Sequence, residues 1–457
     1  MNDHLGEDQY WSIKAKEVEN ALLIRVPENK IRPRLEPTAR LAELLGDPQK
    51  SYRIIHVTGT NGKTSTSRFI ERILRELGLR TGRLTSPHLV SLNERISIDG
   101  ESVSDERLYS IWLEIEPIVE LVDAELAAAD ESPLTFFEVL TVLAFSIFAD
   151  APIDVLVLEV GMGGTWDSTN IADADVAVFT PISLDHTDRL GLTVAEIAAT
   201  KAGIIKQSSI VVSANQKDEV LQILQERSER FAEQFAAAPT DFALVATEAN
   251  DIGQKLSIRS MAGEYSGLNL PVHGLHQAEN AILAVAAVEA FLGGTKQRLL
   301  DEVVRAAFAD FSSPGRLQVI SREPLTILDA AHNQHGAESL ARSLKESFGS
   351  PFAVGVISIL GEKDARSFFE TLDDSLVEIV ITQSDSPRAI PAEELANIAR
   401  DVFGNDRVYV QPNPIKAIDF ARTLLPNGRL SAIVITGSVT LIGQVLKQKQ
   451  LEADQDA

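Results

Sequence analysis

The stretch RIIHVTGTNGKTS, residues 53–65, joins an apolar run to a glycine-bracketed polar loop. Gly62, Lys63 and Thr64 fit the end of the phosphate-loop pattern G-x-x-x-x-G-K-[ST], while Val57 stands where its first glycine belongs. With a strand leading in and a helix leading out, Gly59, Thr60, Asn61, Gly62, Lys63, Thr64 and Ser65 would present helix N-terminal N–H groups to a phosphate. Lys63 would reach the terminal phosphates, and the Thr64 hydroxyl would meet Mg²⁺. The bland alternative is a turn with an incidental Gly-Lys. An acid elsewhere in the chain fits the same chemistry. Glu159 ends the apolar run VLVL, and a carboxylate there faces the loop across the strand ends, where open α/β sheets bind ligands. Otherwise it is a solvent-facing strand-end acid. A side-chain nucleophile is not apparent, because the chain has no cysteine and no G-x-S-x-G elbow.

These groups need elements to hold them. YRIIHV (52–57) reads as a strand. Residues 64–77 put Phe69, Ile70, Ile73, Leu74 and Leu77 on one helical face, with Gly78 as the stop. DVLVLEV (154–160), ADVAVFT (174–180) and SIVVSA (209–214) read as buried strands, and TFFEVLTVLAFSIF (135–148) as a buried helix. Thr135 and Glu138 form a capping box at its start. Residues 254–272 suggest short hairpin strands, and 276–292 return to helix. FSSPGRL (311–317) is turn chemistry. Beyond it, strands near LTILDA, FAVGVIS, EIVITQS and AIVITGS are each followed by a helix. The expected fold class is α/β. A P-loop parallel-sheet ATPase domain with a small added β element spans 1–310, a hinge 311–317, and a Rossmann-like α/β domain 318–457. The tail QKQLEADQDA is expected to be loose.

Bulk numbers narrow the partners. The chain has 457 residues, 44% apolar and 24% charged, which suits a globular protein of two or three domains. A net charge of -24 opposes nucleic acid and anionic lipid overall, although a local basic pocket can invert the field. The N-terminus lacks the apolar core of a signal peptide, and no run of 18 apolar residues occurs, so a cytoplasmic protein is expected.

The remaining motifs identify a family. TSPHLVSLNERI (85–96), TFFEVLTVLAF (135–145), LEVGMGGTWDSTN (158–170), LDHTDRLG (184–191), KAGIIK (201–206), HQAENA (276–281), PGRLQ (314–318) and DAAHN (329–333) follow the GTNGKT loop in that order. The chain resembles folylpolyglutamate synthase and its bifunctional dihydrofolate synthase relatives, in the Mur ligase superfamily, from about residue 35 to about residue 440. The resemblance implies an ATP-dependent ligase adding L-glutamate to reduced folates, with dihydropteroate as a second candidate acceptor. The nearest rival is a Mur-type ligase of a nucleotide-linked peptidoglycan precursor. Such enzymes usually carry an extra N-terminal domain, whereas here the strand that leads into the loop already begins at residue 52.

The resemblance also implies roles. Thr64, Ser86 and Glu159 would hold one Mg²⁺, and His186 a second. Histidine is an unusual ligand for so hard a cation, and a structural hydrogen bond is the other reading. The lysine of KAGI, Lys201, is carbamylated in the family, and burial would lower its pKa enough to leave the amine neutral and reactive. Thr200 stands where relatives carry glutamate. Asn280 would lie on the adenine side. Arg316, Asp329 and His332 would close on the nucleotide, with Lys63, Lys201, Arg316 and His332 catalytic. Thr135, Phe136, Phe137 and Glu138 either cap and pack a helix or line the pteroate pocket. Trp166, Asp167 and Ser168 occupy the pterin side, where Thr165 and Trp166 replace the common arginine and leucine. Trp166 would stack on a pterin ring or cover the core. A monomer is the family default.

Overall fold

The computed structural model describes residues 6–27, 33–294 and 297–456. Three sheets carry the fold. The first has eight strands: β1 (Arg53–Thr58), β2 (Thr81–Leu84), β3 (Ile96–Ile98), β4 (Glu101–Ser102), β5 (Val155–Glu159), β6 (Val176–Phe179), β7 (Ile210–Ser213) and β8 (Gln234–Ala237). Their order is β4-β3-β2-β5-β1-β6-β7-β8. The strands from β2 to β8 pair in parallel, and β3 and β4 add an antiparallel edge. Strands buried on both faces become continuous apolar runs, as VLVL and VAVF are. β1 lies between β5 and β6, and its chain leaves the sheet at that switch point. The register sets Val57 opposite Glu159, which brings the carboxylate beside the first residues of the loop.

The helix Lys63–Glu76 opens directly after the loop and buries Phe69, Ile70, Ile73 and Leu74. Burying each such side chain is worth about 1.5–3 kcal/mol. Gly78 takes φ +80° just past its end. The Phe69 ring stacks on Phe311 at 3.4 Å between centroids, and Ser65 Oγ lies 3.0 Å from Ser313 Oγ. The loop helix is thereby tied to the turn at 311–317. The helix Phe136–Asp150 starts on the expected capping box, with both hydrogen bonds made.

The small added element is a three-stranded antiparallel sheet of β9 (Ala243–Asn250), β10 (Gly253–Arg259) and β11 (Glu264–Leu270), ordered β11-β10-β9. The third sheet comprises β12 (Gln318–Arg322), β13 (Leu325–Leu328), β14 (Phe352–Ile357), β15 (Glu378–Ile381), β16 (Val408–Val410) and β17 (Ser431–Thr436), ordered β12-β13-β17-β14-β15-β16. All of its pairs are parallel except β12 with β13. The tail is not loose over its described part: residues 448–456 continue the helix Val439–Asp456. Among the described residues, no helix is long and apolar enough to cross a membrane.

Candidate active site

Two glycines shape the loop. Gly59 has φ +148°, and a Cβ there would sit 1.9 Å from Thr180 Oγ1. Gly62 caps the helix at φ +89°, and its Cβ would meet Asn280 Oδ1 at 2.5 Å. Asn280, on the helix Leu275–Gly293, thus rests directly on the loop. Thr60 exchanges hydrogen bonds with the Ser183 backbone, 3.0 Å each way. Lys63 curls back, its Nζ donating to the Gly59 and Thr60 carbonyls at 3.1 Å, and burial lowers its pKa.

Across the loop, Thr64 Oγ1 donates to Glu159 Oε1 at 3.1 Å. Glu159 is 1% exposed, and its Oε2 has no partner. Burial pushes its carboxyl up to about 7, against the pull of the Lys63 ammonium and the Thr64 hydroxyl. An orphaned buried carboxylate oxygen beside a hydroxyl is a donor set a divalent cation would satisfy. Among the described residues, no group of three or more His, Asp or Glu side chains is gathered for a metal. A site of one carboxylate plus hydroxyls suits Mg²⁺, which usually keeps waters and takes substrate phosphate oxygens.

Lys201 ends the helix Val194–Lys201 and is 4% exposed. Its Nζ donates to the same Gly59 carbonyl at 2.8 Å. Burial, then the Lys63 charge, lowers its pKa to about 7. His186 stands nearby in a left-handed conformation, φ +50°, with its pKa lowered to about 4 by burial and then by Lys363.

One carboxylate joins the first and third sheets. Asp185 accepts from Lys363 Nζ at 2.7 Å and from Asn333 Nδ2 at 2.9 Å. Burial opposes its charge, yet the ammonium of Lys363, with His186 and His332 beside it, holds its pKa far below the usual range. Asn333 also bonds Asn61 of the loop in both directions at 3.2 Å, while its Oδ1 caps the helix Gln334–Glu346. Asp329 is held by backbone: Oδ2 accepts from Leu317 N and Oδ1 from Ala331 N.

These groups enclose one cavity of about 590 Å³. Arg95, Lys63, Lys201, Arg316 and Lys363 line it beside carboxylates that include Glu159, Asp167, Asp185 and Asp329, so cationic groups face a cavity on an otherwise strongly acidic chain. A wall of Phe137, Trp166 and Asp167 forms its aromatic side.

The Mur ligase middle domain matches residues 57–288, and the Mur ligase, glutamate ligase domain matches residues 315–439. The dihydrofolate synthase/folylpolyglutamate synthase of Mycobacterium tuberculosis is 44% identical over 448 residues, covering 93% of this chain and 92% of that protein. The chain belongs to the folylpolyglutamate synthase/dihydrofolate synthase family of Mur ligases. Solved members have the same fold. Mycobacterium tuberculosis folylpolyglutamate synthase complexed with ADP superposes with a TM-score of 0.91 at 43% identity, over 96% of this chain and 98% of that one. E. coli FolC in complex with DHPP and ADP gives 0.81 at 27% identity, over 97% and 98%.

Against the family's motifs, the expected residues gather in that cavity with one departure. Gly59 to Ser65, Ser86, Thr135, Phe137, Glu138, Glu159, Trp166 to Ser168, His186, Lys201, Asn280, Arg316, Asp329 and His332 all line it. Phe136 does not: it is buried in the core beneath, with the Arg95 guanidinium over its ring. Glu138 lies at the wall, but its oxygens are engaged by Arg34 at 2.9 and 3.0 Å and by the Thr135 N–H. Residues 28–32 of the neighbouring VPENKIRPRLEPT segment lie outside the described residues. Trp166 lines the cavity and packs on the core around Leu190, so the core-covering expectation holds. His332 turns Nδ1 to the Ala330 carbonyl at 2.9 Å, with Nε2 3.8 Å from Asp185. Asp185, Asn333 and Lys363 are functional candidates the family motifs did not single out. Asp185 and Asn333 lie inside LDHTD and DAAHN, and Lys363 stands in no motif.

Proposed function

We propose that this chain is an ATP-dependent ligase that joins L-glutamate to a carboxylate of a reduced folate, with dihydropteroate as a second acceptor. The observation that carries this reading is the single cavity in which the phosphate loop, the orphaned Glu159 carboxylate and the aromatic wall meet. In this reading residues 1–310 bind ATP and folate, 311–317 act as hinge, and 318–457 form the ligase domain. The protein works as a cytoplasmic monomer.

A carboxylate is a poor electrophile, so an amide does not form from it directly. The acceptor carboxylate attacks the γ-phosphorus of ATP, ADP departs, and an acyl phosphate results. The glutamate amine then attacks the acyl carbon, and inorganic phosphate leaves with the C–O bond broken and the amide bond formed. The loop N–H groups from Gly59 to Ser65 hold the phosphates, and Lys63 leaves its two carbonyls to meet the γ-phosphate. Arg316, at the hinge, neutralises charge that develops on the transferred group. Asn280 meets the adenine side, and Asp329 fixes the hinge backbone at Leu317. Phe137, Trp166, Asp167 and Ser168 hold the pteridine, while Thr135 and Glu138 support that wall. His332, with its Nε2 3.8 Å from Asp185, would close on the nucleotide.

Thr64, Ser86 and Glu159 would hold one Mg²⁺, with His186 and Lys201 serving a second. Magnesium there would supply charge neutralisation for the phosphates. Lys201 is suited to carbamylation. Its neutral Nζ attacks CO₂, an N–C bond forms, a proton leaves to solvent, and the remaining N–H still satisfies the Gly59 carbonyl. Activity of CO₂-depleted enzyme should then recover with bicarbonate.

Phosphate release tests the assignment. Wild-type enzyme should release phosphate only when ATP, L-glutamate and a folate are all present, and comparing tetrahydrofolate with dihydropteroate defines the acceptor. Release at the same rate without glutamate would mark a simple NTPase and end the proposal.

A further inference from the structure

Behind Asp167 of the cavity wall runs a buried hydrogen-bond chain of two residues, His56 and Thr169, to which none of the roles above gives a task. His56 lies on the central strand β1 and is fully buried. Its Nε2 is 2.9 Å from Thr169 Oγ1, and Thr169 Oγ1 is 2.5 Å from Asp167 Oδ1. Asp167 also receives the Thr169 N–H on Oδ1 at 3.0 Å and the Met162 N–H on Oδ2 at 2.8 Å. The other ring nitrogen, His56 Nδ1, has no partner.

These contacts favour one direction for the protons of the chain, with His56 Nδ1 the unpaired nitrogen in either tautomer. Burial lowers the His56 pKa to about 3, so the ring is neutral and carries one N–H. With that hydrogen on Nδ1, a buried donor would go unpaired, and Nε2 and Asp167 would compete for the single hydroxyl hydrogen of Thr169. With it on Nε2, His56 donates to Thr169, and Thr169 donates to Asp167. A 2.5 Å O–H···O contact is the length of a charge-assisted bond to a carboxylate. Three donors then hold Asp167, leaving acceptor capacity on the edge that lines the cavity.

We propose that His56 and Thr169 are positioning residues that lock Asp167 as an oriented, acceptor-only carboxylate, so that the cavity selects a head group presenting N–H donors. The ring amide and exocyclic amine of a 2-amino-4-oxopteridine are such donors, and the inference rests on the folate reading above. Burial alone drives the Asp167 carboxyl toward its protonated form, and a protonated acid would offer a donor where the head group needs an acceptor. The chain opposes that outcome. It also roots the head-group contact in β1, the same strand that ends in the phosphate loop.

The test compares Thr169→Val, which removes the hydroxyl at nearly constant shape, with Thr169→Ser, which keeps it. Thr169→Val should raise KM for the reduced folate at least roughly tenfold while KM for ATP stays within twofold, because Asp167 is no longer held as an acceptor and the loss falls on the folate side only. It should also erase the preference for folate over a 2-desamino analogue, and Thr169→Ser should restore both. An unchanged folate KM, or equal rises for folate and ATP, would overturn the proposal by reducing the chain to a packing feature. Should Thr169→Val fail to fold, ¹⁵N-histidine NMR of the wild type decides instead. The His56 ring should show a protonated Nε2 and a bare Nδ1, and the opposite tautomer refutes the chain. Absence of folate-dependent phosphate release by wild type would instead sink the functional reading and leave this tautomer standing.

Discussion

Replacing Lys363 with Met should open the two halves of the cavity more than any surface change of equal size. The Lys363 and Asp185 side chains are 8% and 10% exposed, and their atoms meet at 2.7 Å. Removing one partner of a buried pair costs about 3–5 kcal/mol, mostly because the other charge stays buried. Asp185 keeps Asn333 Nδ2 at 2.9 Å and the His186 N–H at 2.9 Å, so the lower end, about 3 kcal/mol, applies. The pair joins the loop after β6 to the loop after β14, so the loss falls on closure. At about 1.4 kcal/mol per factor of ten, that is roughly a 100-fold drop in the closed-to-open equilibrium constant. The assay is glutamate-dependent phosphate release at subsaturating ATP for wild type, Lys363→Met, Asp185→Asn and the double variant. Each single variant should lose roughly 100-fold in kcat/KM, and the double variant should be little worse than either, a coupling of at least about 2 kcal/mol. Losses that simply multiply in the double variant would refute the clasp and leave two independent roles.

Two further perturbations probe the loop and its lysines. Lys63→Ala should lose turnover by roughly three orders of magnitude while its denaturation midpoint is unchanged, since the side chain bonds only its own loop's carbonyls. Normal ADP production by that variant would remove the loop from the reaction. The Lys201 pKa, about 7 in the fold against 10.5 ordinarily, makes the unfolded chain bind more protons between those values. In CO₂-free buffer stability should therefore rise with pH across that window and be lost as pH falls through about 7, a slope that Lys201→Met should abolish in urea titrations at several pH values.

Much of this site could be read from the chain because its residue types are bound to backbone geometry. Gly59 and Gly62 are needed where a Cβ would strike Thr180 and Asn280. Glu159 was legible because a buried parallel strand must end near the loop of its neighbour, and the Val57–Glu159 register places it there. What failed had no local period. Phe136 and Phe137 are one residue apart on a helix, and only the packing decides which faces the core and which the cavity. Asp185 and Lys363 lie 178 positions apart in the chain. The unpredicted strands are short or at edges: β4 has two residues, β16 three, and β9 is largely solvent-facing, so apolar alternation is weak or absent.

The turn at Gly164 and Thr165 has a wider consequence. Thr165 N and Oγ1 both donate to the Thr200 carbonyl at 2.9 Å, one residue before Lys201. A Cβ on Gly164 would lie 2.7 Å from the Thr200 and Lys201 carbonyls, and one on Gly203 would lie 2.1 Å from Thr165 Oγ1. The segment that carries Trp166 and the helix end that carries Lys201 are therefore one solid piece. Whatever steadies the aromatic wall steadies the lysine, and whatever orders the lysine orders the wall. Any such coupling is reciprocal, so if acceptor binding orders this shared piece, nucleotide binding should find less disorder there to remove, and the converse holds equally.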